Sequence, residues 1–115
     1  MPTYKILSKK VSDTSKNIIA VSEGGKRRII GDQRKRSVPY DDRRSMITYA
    51  RETVYSIRWD SDALSDIFGK RIRVSYSGLG ADILNMDYKR QLTGKDLAEI
   101  LNKVAREQKV DVSFK

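Results

Sequence analysis

Residues 93–114 read Thr-Gly-Lys-Asp-Leu-Ala-Glu-Ile-Leu-Asn-Lys-Val-Ala-Arg-Glu-Gln-Lys-Val-Asp-Val-Ser-Phe, and they hold a helix and a strand with no linker between them. Leu97, Ile100, Leu101, Val104 and Ala105 fall at i, i+3, i+4, i+7 and i+8, which is one apolar stripe on a helix. Thr93 stands where an N-cap belongs, and Asp96 three residues on completes a capping box with the shorter acid in place of glutamate. Lys103, Arg106 and Lys109 gather towards the far end, where the helix dipole favours cations. Val110, Val112 and Phe114 then alternate, the period of a strand. A helix that runs straight into a strand has to fold back on the sheet it joins. This predicts an α+β fold with a C-terminal helix packed on a mainly antiparallel sheet.

Working outward, residues 70–76 alternate Ile72, Val74 and Tyr76 with Arg71, Arg73 and Ser75, the pattern of a strand with one basic face. Residues 77–80 turn, and 81–88 read as a further strand through Ile83-Leu84-Asn85-Met86. Asp60 to Asp62 open a short helix that Gly69 closes. Before it, Thr53, Tyr55, Ile57 and Trp59 alternate and predict a strand from about Val54. Met46, Ile47 and Ala50 place a helix over 42–52, capped by Asp41 or Asp42. At the N-terminus, 3–8 and the β-branched run 18–22 read as strands, with a polar loop over 12–17 between them. Glu23-Gly24-Gly25-Lys26 makes a hairpin turn, and 27–30 return to Gly31. Residues 32–40 lack apolar periodicity and contain Pro39, so they read as a loop. The expectation is a single domain over 1–115, with an N-terminal hairpin, two or three helices and a basic arm at about 31–41.

Composition narrows the chemistry. The 115 residues include no cysteine and no histidine. Disulfides, thiolate zinc sites, cysteine nucleophiles and the commonest general base are therefore excluded, leaving carboxylates, lysines, tyrosines and serines. No apolar run approaches the ~20 residues of a membrane helix, and the first residues lack a signal-peptide core. The expected location is cytoplasmic, or a host-cell interior or virion if the chain is viral. The net charge is +9, and it is unevenly spread. Residues 26–44 carry eight cations against three acids, a net +5, whereas the other 96 residues carry sixteen against twelve. Such asymmetry points to a polyanionic partner.

The candidate nucleic-acid contacts follow from that segment. Lys26, Arg27 and Arg28 lie on the hairpin, Arg34, Lys35 and Arg36 on the arm, and Arg43 and Arg44 in the first turn of a helix. Six of these eight are arginine, which suits bidentate phosphate or guanine contact. The helical pair is the weakest evidence, because cations in a first turn oppose the dipole unless Asp41 and Asp42 offset them. Arg71 and Arg73 would extend the same surface if their strand adjoined the hairpin. Tyr40, beside the arm, is the aromatic placed to stack on a base, whereas Trp59 shares the apolar side of its strand and belongs to the core.

No catalytic, cofactor-binding or metal-binding set stands out. Gly78-Leu79-Gly80 lacks the third glycine of a dinucleotide fingerprint and reads as a turn. Asp60, Asp62 and Asp66 are explained more simply by helix capping than by a cation. Asp87-Tyr88-Lys89, with Asp82, has the acid-x-lysine spacing of metal-dependent nucleases, but Glu107-Gln108-Lys109 has it equally. Residues 68–76 followed by 83–87 are similar to hairpins in small barrel domains of transposition proteins, over about a fifth of the chain and without a polar signature, so no family follows. The expected function is a small basic nucleic-acid-binding protein, DNA or RNA, without enzymatic activity and with weak sequence preference. The alternative is a structural or interaction subunit of a larger assembly, such as a virion or mobile-element complex, including a homo-oligomer. No membrane partner is expected.

Overall fold

The computed structural model describes residues 1–39 and 51–115. Strand β1 (Thr3–Ser12) turns through Asp13-Thr14 into β2 (Ser15–Val21), and residues 22–26 lead into β3 (Arg27–Pro39). Strand β4 (Arg51–Trp59) is followed by helix α1 (Ser61–Phe68), the short strands β5 (Val74–Ser75), β6 (Ile83–Leu84) and β7 (Met86–Tyr88), helix α2 (Gly94–Gln108) and β8 (Ser113–Phe114). Six strands form one sheet in the order β7-β4-β3-β2-β1-β8, antiparallel except where β8 joins β1 in parallel. Both helices lie on one face of it. Ile6, Ile18, Ala20, Ile30, Ile57 and Trp59 from the sheet meet Leu64, Phe68, Leu97, Leu101 and Val104 from the helices in a single core. Mostly sheet with two helices among the described residues, this is a small α+β domain.

The helix ends are built as their residues dictate. Asp60 accepts from the Ala63 N–H at 3.1 Å, and Gly69 closes α1 in the left-handed conformation at φ 69°, where a side chain would be strained. Thr93 and Asp96 form the reciprocal capping box at α2. Gly94 is needed for approach rather than for φ, since a Cβ there would sit 2.5 Å from the Ile6 carbonyl oxygen. Leu101 is fully buried between α2 and the sheet. Leu101→Ala is expected to lower unfolding stability by about 3 kcal/mol in a denaturant titration.

Asp96 also ties α2 to the chain before it. Its carboxylate takes a hydrogen bond from Arg90 at 2.7 Å and another from the Thr93 N–H at 2.8 Å. These hold it well below the usual carboxylate range, the Arg90 bond contributing most. A carboxyl depressed in the folded state stabilises the fold above its unfolded value of about 3.9, and that contribution is lost as the pH falls below it. The melting temperature is therefore expected to drop between about pH 5 and pH 2, and to drop less in Asp96→Asn.

Several expectations are corrected, the first being the loop over 12–17, of which only the turn Asp13-Thr14 lies outside β1 and β2. Residues 32–39 are not a loop or a free arm but the second half of β3, paired residue for residue with β4 from Asp32↔Arg58 to Pro39↔Arg51. The expected helix over 42–52 falls mainly outside the described residues, but Arg51 and Glu52 belong to β4. Residues 70–73 are not a strand. Ile72 is buried, yet its N–H bonds Ser65 Oγ at 2.9 Å and its carbonyl accepts from Ser61 Oγ at 2.5 Å. Helix α1 thus satisfies the backbone that a neighbouring strand would otherwise have claimed. Only Val74-Ser75 pair, in parallel with β6 and in a separate sheet, so the likeness to transposition-protein hairpins does not extend to the strand direction.

Candidate nucleic-acid interface

Side chains alternate between the two faces of a strand, and this divides the basic segment. Arg27, Arg34 and Arg36 project from the outer face of β3, away from the helices, and all three are exposed. Arg58 on β4 and Lys5 and Lys9 on β1 share that face and are also exposed. The acids on that face include Asp32, Asp87 and Glu52, the last paired with Lys89. Asp32 lies 3.8 Å from Arg34 Nε, and Asp87 accepts from Ser56 Oγ at 2.6 Å, while Arg36 reaches the same hydroxyl at 3.4 Å. Among the described residues Arg27, Arg36 and Arg58 form no ion pair.

Beyond Lys35, whose N–H bonds the Thr14 carbonyl at 2.8 Å, β3 has no strand partner on the β2 side among the described residues. From Arg36 to Pro39 it forms a two-stranded ribbon with 51–54 of β4. A ribbon of this kind is narrow enough to enter a major groove. The cations of 34–36 are therefore carried on a paired, rigid element.

The other candidates are scattered. Lys26 lies on the turn, where its N–H bonds Ser22 Oγ at 3.0 Å. Arg28 points to the helix side and pairs with Asp66 of α1 at 2.8 Å, which gives it a structural task. Lys35 also faces the helix side, opposite its neighbours Arg34 and Arg36. Arg71 and Arg73 sit on the connection between α1 and β5, off the outer face, and Arg73 lies 3.6 Å from Asp82. The Arg73 backbone N–H, more than its guanidinium, holds the Asp82 carboxyl below its ordinary value. Arg43, Arg44 and Tyr40 lie outside the described residues.

The candidate nuclease acids do not converge. Asp82 is engaged by Arg73 and by Gln108, and Asp87 by Ser56. Asp60 caps α1, and Asp66 pairs with Arg28. No group of three or more acids is placed to hold a metal ion among the described residues. No helix there is long and apolar enough to cross a membrane.

On the helix side, beyond the end of the core, Lys10, Lys16 and Lys35 line a cleft of about 280 Å³ together with Gln33, Tyr55 and Gln91. Lys10 and Lys16 are not among the candidates expected from the sequence, where 12–17 has the polar character of a loop. They become direct partners through a register shift between Lys10 and Ser12, beyond the two-residue turn at Asp13-Thr14, and no local sequence signal marks that shift. The chain matches no protein-family model, no curated protein and no solved structure.

Proposed function

We propose that this protein binds nucleic acid through its phosphate backbone, with weak sequence preference and no chemistry of its own. The observation that carries the reading is the row of exposed arginines on the outer face of β3 and β4, Arg27, Arg34, Arg36 and Arg58. Paired strands fix the backbone that carries these side chains, so little backbone entropy is lost when they meet phosphates. Contacts of this kind position a protein without reading bases. Binding to duplex and single-stranded DNA and RNA, titrated with salt, tests it. For B-form DNA, log K is expected to fall against log salt by about 0.9 per phosphate contacted. Salt-independent binding, or none at low ionic strength, overturns the proposal.

A second reading, a subunit of a larger assembly, is favoured by the outer edge of β1. Only Thr3 and Tyr4 pair with β8, and Ile6 N–H bonds the Lys115 carbonyl. From residue 7 to 12 that edge has no strand partner among the described residues, and Val11 on it is exposed. An open edge is a template for another strand. Sedimentation showing a stable oligomer, with no mobility shift on DNA or RNA, selects this reading over the first.

A further inference from the structure

We propose that the cleft on the helix side of the sheet binds one phosphorylated nucleotide unit, its phosphate on Lys10, Lys16 and Lys35 and its base against Tyr55. The strand register argues for it first. Lys10 and Lys16 are direct cross-strand partners, and like charges placed so repel each other. Lys16 pairs with Gln33, so Lys35 is its diagonal neighbour, at about 7–8 Å between backbones. All three lysines line the same cleft, and Asp13 is the acid among the lining residues, 3.3 Å from Lys10 and exposed. A phosphate between the lysines would relieve their repulsion.

The wall of the cleft is built, not incidental. The Gln33 side chain is buried, donates to the Leu92 carbonyl at 3.2 Å and accepts from the Leu92 N–H at 2.8 Å. That pair pins the segment before α2 across the sheet and sets Gln91 at the rim. The Lys35 N–H bonds the Thr14 carbonyl at 2.8 Å, which holds the β1–β2 turn against β3. Tyr55, half-buried on the same face as Lys35, supplies an aromatic ring of the kind on which bases stack. A volume of about 280 Å³ lies at the small end of ligand sites and suits one nucleotide better than a larger cofactor.

The inference deepens the nucleic-acid reading by giving the face opposite the arginines a role in holding a single strand. Its test can fail separately. Amide spectra of the intact protein would be recorded with thymidine 5′-monophosphate, with thymidine and with inorganic phosphate, and affinity would be measured for a thymidine oligonucleotide. The monophosphate is expected to shift residues 10, 16, 35 and 55, phosphate to shift the lysines only, and thymidine to do little. Lys16→Gln with Lys35→Gln is expected to weaken oligonucleotide binding about 25-fold near 0.1 M salt, from a single-strand slope of ~0.7 per contact. Tyr55→Leu is expected to weaken it roughly tenfold. If Tyr55→Leu does not fold, the lysine pair decides. Monophosphate shifts at the cleft without oligonucleotide binding support a free mononucleotide as the ligand and sink the polynucleotide reading alone. No shifts at the cleft, with oligonucleotide affinity unchanged in the lysine variant, overturn the inference and leave the arginine face untouched.

Discussion

Replacing Arg27, Arg34 and Arg36 together by glutamine is expected to weaken duplex DNA binding about 500-fold near 0.1 M salt and to flatten the salt slope by about 2.7. Each phosphate contact contributes about 0.9 to that slope through released counterions, and at 0.1 M three contacts amount to nearly three decades. The three side chains share one exposed face, and glutamine keeps a polar, uncharged side chain there, so the fold should tolerate the exchange. A control separates location from total charge. Lys95, Lys103 and Arg106 are exposed on α2, and changing them to glutamine removes the same charge from the helix layer. That variant should keep most of the affinity and nearly the whole slope. Equal losses in both variants would mean that net charge alone governs binding and that the β3 face is not the interface.

The second large effect concerns the fold. Gly31→Ala is expected to cost about 3 kcal/mol, through overpacking at the upper end of its usual range, and to lower the melting temperature by roughly 12–20 °C. Gly31 pairs with Trp59, and a Cβ added there would run into the backbone carbonyl of Arg58, which cannot swing aside as a side chain would. The position adjoins an irregularity in the β2–β3 register, where Ile18 faces Gly31 but Ile19 faces Ile29. Ile30, the extra residue, is buried in the core, and its carbonyl accepts from the Asp60 N–H at 2.8 Å. Bulge, core and the start of α1 are thus joined at one point, and the clash would disturb all three. Gly24→Ala is the comparison, because the nearest atom to a Cβ there is Ser22 Oγ at 3.9 Å. It should shift stability by no more than about 0.5 kcal/mol. Equal melting of the two variants would show that β3 and β4 do not approach as described.

What the amino-acid sequence determined by itself was local. The capping box at Thr93, the stripe from Leu97 to Ala105, the Asp60 cap and the Gly69 stop each depend on residues a few positions apart, so their signals survive without knowledge of the rest. The alternation ending in Trp59 was less legible, because Met46, Ile47, Ala50, Val54 and Ile57 also fit a helical stripe and because both sides of β4 carry buried residues, Val54 and Ser56 on one and Ile57 and Trp59 on the other. Residues 32–39 were illegible for the opposite reason. Past the end of the core both faces of β3 are largely polar, with Arg34 and Arg36 on one side and Gln33, Lys35 and Ser37 on the other, and pairing with β4 throughout and with β2 as far as Arg34 makes it a strand. The alternation at 70–76 misled because serines of α1, distant in pattern though near in chain, took the hydrogen bonds of Ile72. The excess of positive charge was likewise plain in the sequence, but not its partition. Pairing of β3 with β2 and β4 decided that Arg34 and Arg36 face one way and Lys35 the other, where it meets Lys10 and Lys16 from a hairpin some twenty residues earlier.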